Sequence, residues 1–418
     1  MPELKKLSLD DYLSVSDKTV INKIRLVSSR LQGEYIAMVN STPSGGGVAE
    51  ILNTLVLLLN SLGLRVGWRI LKGSDNFFQV TKEFHNALQG STITLSARKK
   101  LLYEQTCYNN AIITHLQKHD LVVVHDPQPL ALIQWYKKRM PWIWRCHIDL
   151  SQPNAALLDY LRPLIEQYDA MVVSSPSYRQ DSLAVKQIQI MPSIDPLSVK
   201  NAPLAKTARQ KVLRRQRVSL NKPIIAQISR FDKWKDPLGV IETYKLVKKK
   251  FDCRLVLMGN LALDDPEGPE IYRQVIKQTK DDKDITVLLN SPDNDRTVNA
   301  LQSVAKVILQ KSLKEGFALT VSEAMWKGTP VVGSRVGGIP LQVRDGQTGY
   351  LVSSPSQAAA ATLKLLTNEK RRATLGRQAK DYVRKNFLIT RQVLDYLEMF
   401  DYFLNRNHRF NTDISYRR

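Results

Sequence analysis

Four short stretches combine residue types suited to phosphate and sugar chemistry. In Lys314-Glu315-Gly316-Phe317-Ala318-Leu319-Thr320-Val321-Ser322-Glu323, two glutamates have seven residues between them. The glycine marks a loop, and the apolar spacing that follows predicts a helix from about Leu319. Glu315 then falls in the loop and Glu323 one turn inside the helix. Carboxylates so placed can frame a ligand while N–H groups of the loop and helix start meet oxyanions between them. Taken alone, the pair is equally well explained as a loop acid and an acid favourably placed near a helix start. In Ser229-Arg230-Phe231-Asp232-Lys233-Trp234-Lys235, two cations follow a short apolar run. Arg230 can fork two phosphate oxygens, and Lys235 offers a point charge. As plain surface cations at a helix start they would oppose the helix dipole, which favours an anion nearby.

The third stretch, Asn40-Ser41-Thr42-Pro43-Ser44-Gly45-Gly46-Gly47, lies between an apolar run and an amphipathic one. Consecutive glycines let a backbone approach a ligand, and the following helix offers unpaired N–H groups. It is neither GxGxxG nor a Walker loop, so a phosphate cradle and a tight turn fit equally. The fourth comprises Val124-His125-Asp126-Pro127-Gln128-Pro129 and Arg145-Cys146-His147-Ile148-Asp149, each ending an apolar run. Those ends place Asp126, His147 and Asp149 where ligands of parallel sheets bind.

Other chemistries are excluded or unsupported. The 6 histidines include no HExxH, so no metal site is expected. Cys107, Cys146 and Cys253 form neither a disulfide framework nor a zinc pattern. The net charge of +22 suits a nucleic acid, a small polyanion or a solvated basic surface. Its bursts at Arg209 to Arg217, Lys248 to Lys250 and Arg406 to Arg418 carry no recognition motif. The longest apolar run, Leu55 to Leu59, falls far short of a membrane helix, and Met1 to Asp11 holds no signal-peptide core. A cytoplasmic protein is expected.

The elements that must position these residues alternate. Apolar runs occur at Glu34–Asn40, Leu64–Leu71, Leu121–His125, Trp142–Ile148, Ala170–Ser174 and Ile188–Met191. A second set occupies Pro223–Ser229, Arg254–Gly259, Ile285–Leu289, Lys306–Gln310, Pro330–Gly333 and Tyr350–Val352. Short runs of this kind suit strands buried on both faces of a parallel sheet. Between them lie helical patterns; Val48, Ile51, Leu52, Leu55, Val56, Leu59 and Leu62 share a face, with Gly63 at the capping position. The class is α/β, with two doubly wound, Rossmann-like domains facing a cleft. The expected division is 1–200, a linker at 201–221, 222–385, and a C-terminal helical segment at 386–418 returning to the first domain.

Together these stretches resemble the retaining GT-B glycosyltransferases of family 4, over nearly the whole chain. Within that family the chain is similar to the trehalose glycosyltransferring synthases. The stretches that carry this are Val39-Asn40-Ser41-Thr42 running into Gly45-Gly46-Gly47-Val48-Ala49-Glu50, Phe84-His85-Asn86-Ala87-Leu88-Gln89-Gly90, Val124 to Pro129, Trp144 to Ser151, and Asp264-Asp265-Pro266-Glu267-Gly268. Ala318 departs from the pattern, since close relatives often have glycine there.

The resemblance implies retaining transfer of glucose from a nucleotide-glucose, UDP-glucose or ADP-glucose, to glucose, giving trehalose, with no cofactor. It gives Glu315 to the donor glucose and its developing positive charge, and Glu323 to the ribose hydroxyls. Arg230 and Lys235 would neutralise the departing diphosphate, aided by N–H groups of Phe317, Ala318, Leu319 and Thr320. Gly46 and Gly47 would close over the donor, His147 would contact its sugar, and Asp126 would place the acceptor. No nucleic acid or membrane partner is implied, and a homodimer is compatible with it. The competing readings are a trehalose phosphorylase, another family 4 transferase, a sugar-nucleotide sensor and a nucleic-acid-binding protein.

Overall fold

A computed structural model of the chain describes residues 7–43, 46–261, 268–291 and 293–405. Ser44 and Gly45 of the glycine loop, Asp264-Asp265-Pro266-Glu267, and the basic tail Arg406 to Arg418 lie outside the described residues. Every apolar run becomes a strand. The first set forms β1 (Tyr35–Asn40), β2 (Arg65–Ile70), β3 (Leu121–His125), β4 (Trp142–Arg145), β5 (Ala170–Val173) and β6 (Lys186–Gln189). The second forms β7 (Ile224–Ile228), β8 (Arg254–Gly259), β9 (Ile285–Leu289), β10 (Val307–Gln310), β11 (Val331–Ser334) and β12 (Gly349–Val352).

Each set makes one 6-stranded sheet, in the orders β2-β1-β3-β4-β5-β6 and β12-β11-β10-β7-β8-β9. All pairings within them are parallel. Parallel strands need crossovers, and helices on both faces keep the strands apolar throughout; β3, β4, β5, β7 and β10 are buried at every residue. In each sheet the chain reverses its direction of winding once, between β1 and β3 and between β7 and β10. Ligands of doubly wound sheets bind at such switch points, beyond the carboxyl ends of the strands.

The chain divides into two units, one running to Ser193 and resuming at Ile389, the other Ile194–Leu388. Buried Trp142, Trp144, Phe77, Phe84 and Tyr103 dominate the first core, and Phe231, Tyr244, Val240 and Val307 lie in the second. The last helix, Ile389–Asn405, is tied into the first unit by Ser16 Oγ to Thr390 Oγ1 at 2.8 Å and by Arg30 to Asp401 at 3.0 Å. The span 201–221 contains a helix, Lys206–Arg215, packed on helix Asn294–Val304 of the second unit.

Local detail follows sequence chemistry with one exception. Helix Gly47–Ser61 buries Ile51, Leu52, Leu55, Leu58 and Leu59. Gly63, at φ 94, takes the left-handed turn after it, as a capping glycine does. β4 stops at Arg145, although the apolar run continues to Ile148. His147 N–H donates to Asp126 Oδ1 at 2.8 Å instead of to a neighbouring strand, which bends the chain out of the sheet.

Candidate active site

Arg230, Lys235 and Glu315 all follow the two strands that flank the switch point of the second sheet. β7 empties into Ser229–Asp232 and the 3-10 turn Lys233–Lys235. Buried Asp232 caps that turn, accepting from Trp234 N at 2.8 Å, and its other oxygen lies 3.5 Å from Arg230 Nη2. Gln227 of β7 donates to Lys235 O at 2.7 Å, which sets where the lysine leaves the backbone. Lys235 Nζ donates to both oxygens of Glu315, at 2.8 and 2.7 Å. Glu315 Oε2 also accepts from Ser312 Oγ at 3.1 Å and Gln310 Nε2 at 3.2 Å. A nearly buried carboxylate is thereby held by an ammonium and two neutral donors, as a buried charge requires.

The chain from Glu315 to the next helix is fixed from below. Gln342 Nε2 donates to Phe317 O, and Ser322 Oγ donates to Gln342 Oε1 at 2.6 Å. Phe317 packs its ring on Phe387 at 5.7 Å. Gly338 lies so near that a Cβ there would meet Phe317 Cα at 2.7 Å and Gly316 O at 2.9 Å. Ala318 sits in the left-handed region at φ 70, the conformation that explains why a glycine would suit this position. It caps helix Leu319–Trp326 without a side-chain acceptor, so the N–H groups of Leu319 and Thr320 are left to solvent or a ligand. Glu323, inside that helix and buried, accepts from Gln302 Nε2 at 3.0 Å, with Lys200 Nζ 3.7 Å from its other oxygen.

In the first unit, the β1 loop, Asp126 and His147 follow β1, β3 and β4. Asn40 anchors the glycine loop, donating to Thr42 O at 2.8 Å and accepting from Trp68 Nε1 at 2.9 Å. Gly46 and Gly47 are exposed at the start of helix Gly47–Ser61, again without a side-chain cap. Gly46 has extended backbone, and a Cβ there would meet nothing within 4 Å. The fold itself therefore does not demand a glycine at 46.

Asp126, at φ 64, turns its carboxylate onto His147 N–H, while its own N–H donates to Arg145 O at 2.9 Å and Trp144 Nε1 donates to its carbonyl at 3.0 Å. His147 Nε2 and His125 Nδ1 share a hydrogen bond of 3.0 Å between stacked rings. Beneath them Arg145 is fully buried, donating to Ser174 Oγ at 3.0 Å. Burial, seconded by Arg145, pushes His125 down to about 3. Burial, then Arg145 and His125, holds His147 well below the ordinary histidine range. Burial raises Asp126 to about 6 against the lowering pull of His147 N–H and Arg145. The two imidazoles are thus neutral near pH 7 and act as hydrogen-bonding groups rather than cations. Asp149 turns inward, accepting from Ser151 N at 2.9 Å.

The candidates fall into two groups, one per unit, each at its sheet's switch point. Sequence reasoning missed Gln310 and Ser312 around Glu315, Lys200 and Gln302 around Glu323, and His125 and Arg145 behind His147. Gln310, His125 and Arg145 are the last residues of β10, β3 and β4, so strand-end position was a usable signal for them. Lys200 and Gln302 carried none. Among the described residues no group of His, Cys, Asp or Glu is arranged to hold a metal ion, and no helix is long and apolar enough to cross a membrane.

Two family models match the chain: "Trehalose synthase, N-terminal domain" over residues 38–180 and "Glycosyl transferases group 1" over residues 209–382. A trehalose synthase of Pyrococcus horikoshii is 46% identical across 94% of this chain and 96% of its own length. A trehalose phosphorylase of Grifola frondosa is 28% identical across 90% of this chain and 58% of its own length. The crystal structure of an α,α-trehalose-phosphate synthase (UDP-forming) from Burkholderia xenovorans, in complex with glucose-6-phosphate, has a TM-score of 0.71 at 13% identity, covering 88% of this chain and 100% of that one. At that identity the likeness bears on the fold, which is GT-B.

Proposed function

The chain belongs to the trehalose synthase family of glycosyltransferases, and from that premise we propose that it transfers glucose, with retention, from a nucleotide-glucose to the anomeric hydroxyl of glucose. The products are trehalose and a nucleoside diphosphate. The observation that carries this reading is the ion pair of Lys235 with Glu315 at a sheet switch point. Cleaving a sugar–phosphate bond creates a cationic anomeric centre and an anionic leaving group side by side. A carboxylate and an ammonium fixed in contact match those two charges, and fixed charges stabilise them without reorganisation.

In this reading Glu315 faces the donor glucose, and Lys235 and Arg230 neutralise the β-phosphate as the electron pair of the C1–O bond passes to it. The uncapped start of helix Leu319–Trp326 adds N–H groups to the phosphates. Glu323 holds the ribose hydroxyls. The acceptor oxygen bonds to C1, and its proton goes to the leaving phosphate on the same face, which preserves the α configuration. Gly46 and Gly47 serve the donor through their backbone, consistent with a glycine at 46 that the fold does not need. His147, neutral, hydrogen-bonds the donor sugar, and Asp126 places the acceptor. UDP-glucose or ADP-glucose is the proposed donor. In this reading the reaction is cytoplasmic. No protein-bound metal or cofactor is assigned a role.

Incubating the protein with glucose and each nucleotide-glucose, then identifying the first-formed disaccharide by NMR, tests the proposal. α,α-Trehalose with stoichiometric nucleoside diphosphate is expected. A reducing disaccharide would overturn the acceptor, and a β linkage at the transferred glucose would overturn retention. Similarity to a trehalose phosphorylase favours one second reading. Release of glucose 1-phosphate from trehalose and inorganic phosphate, without nucleotide turnover, would establish it.

A further inference from the structure

A buried arginine lies behind the two imidazoles of the first unit, and its charge bears on where their protons sit. Arg145 ends β4 and pairs in register with His125, which ends β3, so the two side chains share one face of the sheet. Its Nη2 donates to Ser174 Oγ at 3.0 Å, while Nε and Nη1 are buried and make no hydrogen bond. Among the described residues no carboxylate forms an ion pair with it. Asp126 turns to His147 N–H, and Asp395 of the last helix is taken by Arg391. Tyr396 of that helix, its hydroxyl also buried without a hydrogen bond, is held protonated by burial and brings no negative charge. Arginine stays charged in such a place, and a charge that nothing neutralises acts strongly at low dielectric.

His125 Nδ1 and His147 Nε2 are 3.0 Å apart, so one of them carries the shared proton and the other accepts it. If His147 Nε2–H donates, neutral His125 must carry its own proton on Nε2. That nitrogen is buried without a partner, so a third stranded N–H would join Nε and Nη1 of Arg145 with no acceptor for any of them. If His125 Nδ1–H donates instead, its Nε2 is a bare lone pair, which a neighbouring guanidinium attracts. The charge that acts on His125 is that of Arg145, so the second arrangement prevails. It leaves His147 bare at Nε2, and a neutral ring then holds its proton on Nδ1. His147 is partly exposed, and among the described residues nothing pairs with that nitrogen. We propose that Arg145 and His125 are positioning residues that fix the proton of His147 on Nδ1, so that this ring meets an oxygen-bearing ligand as a hydrogen-bond donor and not as a base. That the ligand is a sugar rests on the function proposed above; the tautomer does not.

The test reads the ring protons directly. The full chain, labelled with ¹⁵N-histidine, is followed by long-range ¹H–¹⁵N correlation spectra near neutral pH, with the His147 signals identified by their loss in His147→Asn. Both rings should show a protonated Nδ1 and a bare Nε2; a proton on His147 Nε2 would overturn the proposal. No substrate is needed, so the spectrum judges the tautomer even in a chain that transfers no glucose. Arg145→Met keeps the aliphatic stem and removes the charge, and circular dichroism should be unchanged because no ion pair is broken. Freed of the guanidinium, both rings should move to Nε2–H, the form that an imidazole side chain prefers by itself. Rings that keep Nδ1–H in this variant would remove Arg145 from the role. A pair of variants of one shape tests the consequence for transfer. His125→Asn, whose amide N–H can replace Nδ1–H, should keep kcat/KM within about threefold, whereas His125→Asp, which only accepts, should put a proton on His147 Nε2 and lose ~10-fold or more. Equal kcat/KM in the two would overturn the donor role of His147.

Discussion

Replacing Lys235 with methionine separates what the Lys235–Glu315 pair does for the fold from what it does for transfer. Methionine keeps much of the aliphatic stem and removes the ammonium that touches both carboxylate oxygens. Glu315, 6% exposed at its side chain, would then keep the hydrogen bonds from Gln310 and Ser312 but lose its counter-charge. Stranding a fully buried charge costs ~3–5 kcal/mol. The Lys235 side chain is 18% exposed, so solvent reaches the gap and the expected loss falls to ~2 kcal/mol. In the double variant Lys235→Met/Glu315→Gln no charge is stranded, and stability should return to within ~1 kcal/mol of the parent. Turnover should behave differently. Losing one fixed transition-state charge costs ~10²–10³-fold in kcat, and the double variant, lacking both charges, should recover none of it. Unfolding of the second unit can be followed through Trp234 and Trp326, and transfer by disaccharide formation. A Lys235→Met variant of unchanged stability would refute the buried-charge argument. Near-normal turnover in it would refute the clamp.

Gly46→Ala should leave thermal unfolding within ~0.5 kcal/mol of the parent, since its backbone is extended and a Cβ meets nothing, yet raise the donor KM at least tenfold; equal KM would remove Gly46 from the site. Ala318→Gly should stabilise the second unit by up to ~1 kcal/mol, because relief of a left-handed alanine outweighs the added freedom of the unfolded chain; a clear loss of stability would show that the turn is unstrained. His125 and His147 resist protonation in the folded state but not when unfolded. The contribution of these two rings to stability should therefore be complete above about pH 6.5 and be lost progressively as pH falls toward the folded values, offset in part below about pH 6 by Asp126, whose raised carboxyl takes up a proton first in the folded chain, and ¹⁵N-detected NMR should show both rings neutral at pH 5.5; a titration of either ring near pH 6.5 would contradict their burial beside Arg145.

How much of this was legible in the sequence follows from how local each signal is. A strand buried on both faces is a run of apolar residues, and nothing beyond the run is needed to see it, so all twelve were visible. The start of the helix at Leu319 was equally plain from the glycine-containing loop before it. The end of β4 was not. Cys146 N–H still donates to Val172 O of β5, but whether His147 continues the strand depends on a carboxylate on the neighbouring strand's loop taking its N–H. That partner is distant in sequence, and the apolar pattern carries no trace of it. The same holds for Lys235. Its residue type pointed to phosphate, but nothing local showed that its ammonium rests on Glu315.

Sheet topology supplies what residue types could not. Arg230 and Lys235 lie far from Glu315 in the chain, and the β1 loop lies far from Asp126. Each pair of segments follows strands that are neighbours at the one place where a sheet changes its winding direction. At that place the loops after two adjacent strands diverge to opposite faces, leaving strand ends, loop N–H groups and helix starts uncovered together. A charge there meets few backbone neighbours and must find a side-chain partner or a ligand. In the second sheet Glu315 has found Lys235. In the first sheet the uncovered end is occupied by Asp126, the neutral His125–His147 pair and the buried Arg145 behind them. In the proposed reaction the unequal charge of the two ends suits unequal tasks: fixed opposite charges where the phosphate would leave, and neutral hydrogen-bonding rings where a sugar would be gripped without being protonated.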